Sequence, residues 1–297
     1  MATANFFGIR LPQPVTYQID CQLRYQLDTD CDFVFMIHVA PTPHQRVVDE
    51  SLQLSPVIDT RLHPDGAGNR LLRLRAQPGP LTLDYRARVE LWPQAPAAKA
   101  GQWPIERLPD VVLPDLLPTR YCESDRLGAV ARQLFGALEP GLPRVQGICD
   151  WLAENIEYRV GSTTSASTAL DVFVQRAGVC RDFAHLGISF CRALNIPARL
   201  VCGYAPFDEP PPDFHAVFEA FLDGRWHLFD ATGLAPVTSL VRIAQGRDAK
   251  DTAFATIYGA ARLESMSPQI RRIDTGRDTG RDAARRLRAA PTPAEAR

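Results

Sequence analysis

Cys180 stands directly after Gly178-Val179 and directly before Phe183, Ala184 and Leu186, an apolar run with helical spacing. Packing asks for no thiol at that point. A cysteine in the first turn of a helix meets unpaired backbone N–H groups and the positive end of the helix dipole, which favour a thiolate. The same N–H groups suit the oxyanion formed when a thiolate attacks an amide carbonyl. Such a thiolate needs an imidazole to exchange its proton and a third group to orient that ring. Alone, such a cysteine is more often a packed core thiol, so its partners decide.

The stretch "DFHAVFEAFLDGRWHLFDATG" supplies them. It alternates as a hairpin with Asp223-Gly224 as a two-residue turn. That turn sets Leu222 opposite Arg225 and Phe221 opposite Trp226, and counting back sets Val217 opposite Asp230. His215 is two residues from Val217, so His215 and Asp230 share a face as diagonal neighbours, about 7–8 Å apart at Cβ. A loop one residue longer would separate them. Cys180, His215 and Asp230 then form a thiol–imidazole–carboxylate triad. His227 points to the opposite face, and His185 reads as a packed or capping residue on the cysteine helix. Cys191 and Cys202 read as core thiols, their spacing too wide for a zinc site.

The elements that must position these groups fall into two regions. Before residue 92, Val15 to Tyr25 and Leu81 to Leu91 alternate with period two, and "HPDGAGN" reads as a turn, predicting a small antiparallel β-sandwich over 1–92. A proline-rich connector covers 93–123, where no helix or central strand holds for long. From 124 to 266 the period becomes helical. Ser124 is the predicted N-cap of the first helix, a second starts near Pro143, and a third runs over 167–176 and stops at Gly178. The cysteine helix and three strands follow, an α+β arrangement. Residues 267–297 carry eight Arg against four acidic residues without periodicity and read as a flexible Arg-rich tail.

The 297 residues carry a formal net charge of −1, which leaves no bulk electrostatic case for nucleic acid or an anionic membrane. No stretch approaches ~18 consecutive apolar residues, and the start lacks a secretory pattern, so a cytoplasmic location is expected. Seven cysteines without a C-x-x-C pair read as reduced thiols.

"GVCRDFAHLGISFCRALNIPARLVCGY" and then "DFHAVFEAFLDGRWHLFDAT" resemble the transglutaminase-like superfamily of papain-type cysteine enzymes. The bacterial branch with an N-terminal β-rich region is the nearer likeness. The resemblance implies a papain/transglutaminase-like core, with a helical half and an antiparallel sheet, preceded by the sandwich. It makes Cys180 the nucleophile, His215 the general base and acid, and Asp230 the orienting carboxylate. Many relatives carry tryptophan two residues after the histidine where Val217 stands here, which bears on pocket shape. Animal transglutaminases need calcium, but no calcium-loop spacing appears in this chain, so no metal or other cofactor is expected.

The expected activity is attack on an amide through a thioester, with a peptide or protein amide as substrate. Hydrolysis by a peptidase or amidase is the favoured outcome. Transamidation of protein glutamine, or a non-catalytic peptide-binding module on the same fold, stand as alternatives. The loop "APFDEPPPD" precedes His215 as a stiff acidic rim suited to a basic or amine-bearing group. Asp213 and Val217 are expected to contact substrate, while Tyr204 either lines the pocket or packs. The sequence indicates no oligomeric state.

Overall fold

The computed structural model describes residues 13–94, 97–209 and 213–273. Six strands come first: β1 (Val15–Leu27), β2 (Cys31–Phe35), β3 (Gln45–Ser55), β4 (Thr60–Pro64), β5 (Arg70–Ala76) and β6 (Gly79–Leu91). Then follow α1 (Ser124–Phe135), α2 (Leu142–Asn155), β7 (Glu157–Tyr158), α3 (Ala169–Gln175), β8 (Ala177–Gly178) and α4 (Cys180–Ala193). The chain continues through β9 (Ala198–Tyr204), β10 (His215–Leu222), β11 (Arg225–Phe229), β12 (Val241–Gly246), β13 (Ala255–Tyr258) and β14 (Ala261–Ile273).

The sandwich is made of two four-stranded sheets, ordered β14-β1-β6-β3 and β13-β2-β5-β4. On β1 every second residue from Tyr17 to Leu27 is buried, as the alternation of side chains across a strand requires. These meet Phe33 and Phe35 of β2 and Leu72 and Leu74 of β5 in one core. Two of the eight strands come from the far end of the chain, so 1–92 is not a self-contained sandwich. β14 runs the length of β1, from Thr16↔Ile273 to Leu27↔Ala261. This corrects the boundary expected at 266/267: residues 255–273 return to the sandwich, and 267–273 are strand, not tail. The remainder of the expected tail lies outside the described residues. Pro268 sits within β14 because that strand is at the sheet edge, where a missing N–H is tolerated.

α4 is the central helix of the second region. From Asp182 to Arg192 every residue is buried, with α1, α2 and α3 on its flanks and β10 beneath it. Its polar residues form a stripe at helical spacing, and each finds a partner. His185 Nε2 accepts from the Ala249 N–H at 3.1 Å, and Ser189 donates to the His185 carbonyl at 2.8 Å. Arg192 donates to the carbonyls of Ala198, Leu117 and Arg247. Gly187 lets the helix lie on the sheet, since a Cβ there would meet the Phe218 ring at 2.8 Å. That close approach sets the height of Cys180 over the β10 strand.

Two cap expectations shift. α1 begins at Ser124 itself with Glu123 as N-cap and no side-chain cap. α3 ends on Arg176 in the left-handed region (φ 61°), and Gly178 lies in β8. The connector winds through short 3₁₀ turns, and Leu108 and Val112 pack on Phe221, with Trp103 and Trp226 beside them. It covers the outer side of the β10–β11 hairpin.

Candidate active site

The four-stranded sheet β11-β10-β9-β12 carries the histidine. Asp223 (φ 46°) and Gly224 (φ 79°) form the two-residue turn, both in the left-handed region such a turn demands. The register follows: Leu222↔Arg225, Phe221↔Trp226 and Phe218↔Phe229. One step beyond the last pair, Asp230 turns to His215, and Nε2 lies 2.8 Å from Oδ2. Thr232 holds the other carboxylate oxygen, donating from its backbone N–H at 2.9 Å and its hydroxyl at 2.6 Å. Burial would lower the His215 pKa, but the hydrogen bonds and charges of Asp230 and Cys180 outweigh it and carry the ring up to about 9. Burial would raise Asp230, and the same pairing with the Thr232 bonds holds it below the ordinary carboxylate value.

Cys180 opens α4, half-buried where the six other cysteines are mostly sealed in the core. Its Sγ lies 3.9 Å from the Phe214 carbonyl oxygen, one residue from His215. The imidazole therefore stands between carboxylate and thiol, with Nε2 spent on Asp230. Its Nδ1 is buried and closes no hydrogen bond at full geometry, while the Cys180 side chain is the neighbour that acts on the ring. Asp182 shapes the helix mouth: its Oδ2 accepts from the Val179 N–H at 3.0 Å and the Thr163 hydroxyl at 2.5 Å. Arg181 is tied to its Oδ1 at 2.8 Å. Asp182 is thus spent on structure.

Tyr158 escaped the sequence reading. β7 and β8 pair in parallel with Tyr158 opposite Gly178, two residues before the thiol, and the Tyr158 ring packs 6.0 Å from that of Phe183. Burial raises its hydroxyl above the ordinary tyrosine value, and the Cys180 charge adds to that. A two-residue strand leaves no periodic signal, so only its place before "GVC" hinted at a role.

Of the expected substrate contacts, Asp213 lies exposed at the start of the β10 approach. Tyr204 does not line a pocket. It is 1% exposed, and its hydroxyl donates to the Ile37 carbonyl at 2.7 Å, fastening β9 to the sandwich. Val217 is sealed among Val201, Ala205, Ala235 and Leu240, so it supports the hairpin and has no surface for a substrate. His227 Nε2 faces the Leu222 carbonyl at 3.2 Å, and His185 is stacked on Tyr121, so neither joins the triad. The Phe207 ring stands edge-on to His215 at 5.4 Å. Beyond it, a cavity of about 140 Å³ opens between residues 205–208 and Pro268, Gln269 and Ile270 of β14. The sandwich thereby walls one approach to the histidine. A larger depression of about 580 Å³, lined by His63, Arg73 and Tyr258 among others, lies on the sandwich and includes no triad residue. Among the described residues no three His, Cys, Asp or Glu side chains converge as metal ligands.

A buried imidazole clasped by a carboxylate beside a helix-mouth thiol, on a sheet crossed by one central helix, defines a papain-type cysteine-enzyme architecture. The chain belongs to the transglutaminase-like superfamily, whose core matches residues 128–231, while residues 15–93 match the bacterial transglutaminase N-terminal domain. A candidate cysteine protease from Cytophaga hutchinsonii superposes with a TM-score of 0.85 at 41% identity, covering 88% of this chain and 92% of that one. An uncharacterised protein of Mycobacterium leprae is 30% identical over 199 residues, 61% of this chain and 68% of that protein. One from Mycobacterium tuberculosis is 28% identical over 180 residues, and the match spans 57% of its length.

Proposed function

We propose that this chain is a cysteine-dependent amide-bond enzyme that works through a thioester and releases its product by hydrolysis. The observation that carries the reading is His215, held by Asp230 at 2.8 Å on one side with the Cys180 thiol as its neighbour on the other. His215 takes the thiol proton, and the thiolate of Cys180 adds to the amide carbon. The oxyanion meets the N–H groups of Cys180 and Arg181 at the mouth of α4, since those of Asp182 and Phe183 are already bonded to the Val179 carbonyl. On collapse the C–N bond breaks, the proton on Nδ1 passes to the departing nitrogen, and a C–S bond remains. Water, deprotonated by the same imidazole, then breaks the thioester and returns the thiol. Peptide and isopeptide amides are the substrate class, in keeping with the candidate protease assignment of the Cytophaga protein. We further propose a cytoplasmic setting, on the strength of seven unpaired cysteines. Among the described residues no helix is long and apolar enough to cross a membrane.

The test is iodoacetamide labelling at pH 7 followed by peptide mass mapping. Burial carries Cys21, Cys122 and Cys202 up to about 12 and raises Cys149 and Cys191 well above the ordinary thiol value, so these thiols should be slow. Cys180 should label first, and His215→Ala should slow it. Equal labelling of Cys180 and the buried thiols would remove the enzymatic reading and leave a binding module.

A further inference from the structure

The outer face of the sheet β13-β2-β5-β4 carries side chains that the triad does not use. Leu72 and Leu74 of β5 point into the sandwich core, so Arg73 and Arg75 point outward and are exposed. The ladder sets Arg61 of β4 directly opposite Arg73, His63 opposite Leu71, and Val34 of β2 on the other flank of Arg73. Two residues along, Tyr258 of β13 stands opposite Asp32, and Asp32 opposite Arg75. The depression of about 580 Å³ lies on this face, with Val34 and Leu71 half-buried in its lining and Tyr258 exposed beside them. The turn between β4 and β5 fixes this register: Asp65 accepts from the N–H groups of Ala67 at 2.8 Å and Asn69 at 2.9 Å.

The charges of this face do not balance. Arg75 is shared by Asp30 and Asp32, each at 3.1 Å. Elsewhere on the sandwich Arg46, Arg70, Arg86 and Arg88 each have an acidic partner. Arg61 and Arg73 form no ion pair among the described residues, although they face each other across two paired strands. Like charges in that position cost stability. Two guanidiniums on side chains about 4.5–5.5 Å apart at Cβ also match one tetrahedral oxyanion, which each can meet with paired N–H donors.

We propose that this depression is a second ligand site, separate from the triad, for a small phosphate monoester that carries an apolar ring. The phosphate sits between Arg61 and Arg73, and the ring lies over Val34 towards Tyr258. A volume of about 580 Å³ falls within the range of small-molecule sites, so a soluble ester is the occupant. Binding is non-covalent, and the phosphate relieves the repulsion between the two arginines.

The test is isothermal titration of the full chain with phenyl phosphate, inorganic phosphate and phenol at constant ionic strength. Phenyl phosphate should saturate the protein, and phenol should not. Arg73→Gln should weaken phenyl phosphate by about tenfold or more, the size of a lost charge-assisted hydrogen bond. In chloride the same variant should melt at or above the wild-type temperature, because one of two opposed like charges is gone, and that melt also reports that it is folded. Tyr258→Ser should weaken phenyl phosphate and leave inorganic phosphate unchanged. No saturable binding of phenyl phosphate, or equal affinity in a folded Arg73→Gln, would overturn the site. An equal loss of both phosphates in Tyr258→Ser would overturn the placement of the ring. Iodoacetamide labelling of Cys180 should be the same in wild type and both variants, since no triad residue lines the depression.

Discussion

Gln45 and Arg242 meet as though they belonged to neighbouring strands. The Gln45 side-chain oxygen accepts from the Arg242 N–H at 2.9 Å, and its nitrogen donates to the Arg242 carbonyl at 2.7 Å. The same nitrogen also reaches the Ala40 carbonyl at 2.7 Å. A glutamine of the sandwich thus completes the outer edge of β12, while the Arg242 guanidinium reaches Glu219 on the strand that begins with His215. Gln45→Ala would leave buried backbone groups unpaired. The expected loss is about 1–3 kcal/mol in unfolding free energy, read from urea melts.

Glu219 is buried between Arg199 at 2.5 Å and Arg242 at 2.7 Å. Burial would raise its pKa, but the two guanidiniums outweigh it and hold the carboxyl below the ordinary range. Its contribution is therefore complete above the ordinary glutamate value and is lost as pH falls through the lowered one. Glu219→Gln should destabilise the protein by about 3–5 kcal/mol, because both arginines lose their carboxylate partner inside the fold. Thermal unfolding at pH 7 and at pH 3 checks this, the gap between variant and wild type narrowing in acid.

The His215–Asp230 pair sets the alkaline side. His215 titrates at about 9 in the fold against 6.5 for the ordinary ring, so the protonated imidazole is favoured by folding. The stability it confers is complete below pH 6.5 and is lost as pH rises through about 9. That loss should be on the order of 1–3 kcal/mol, absent from His215→Ala. Asp230→Ala should move the alkaline limb of kcat/KM, or of Cys180 labelling, towards lower pH.

Tyr158 stands opposite Gly178, two residues before Cys180, and the charge at Cys180 acts on its hydroxyl. Tyr158→Phe keeps the ring on Phe183 and removes only that oxygen. The expected result is a fall in kcat of about tenfold or more with KM little changed, in the range found for donors near a developing oxyanion. Thermal melting should barely move, which separates this role from simple packing.

Much of the site was legible because its determinants are local. Asp223-Gly224 forces a tight turn, the turn forces the register, and the register brings His215 to Asp230. Cys180 at the start of a buried helix is equally local. Val217 misled because sharing a strand face with His215 does not by itself give a side chain an open surface, and for Tyr204 the sequence left lining and packing both open. Tyr204 turned to Ile37, and Val217 joined an apolar cluster.

By itself, then, the sequence determined the pairing of His215 with Asp230, the hairpin that assembles it and the α+β class, since each follows from periodicity and turn chemistry within a few dozen residues. Only the tertiary structure decided that β14 closes the sandwich over β1, more than two hundred residues away in the chain. It also decided that Tyr158 pairs beside the segment leading to Cys180, and that Gln45 ties the sandwich to Arg242, the partner of Glu219 in the sheet of His215. Those choices depend on which polar groups would otherwise be buried unpaired when distant segments meet, and no local pattern records that requirement.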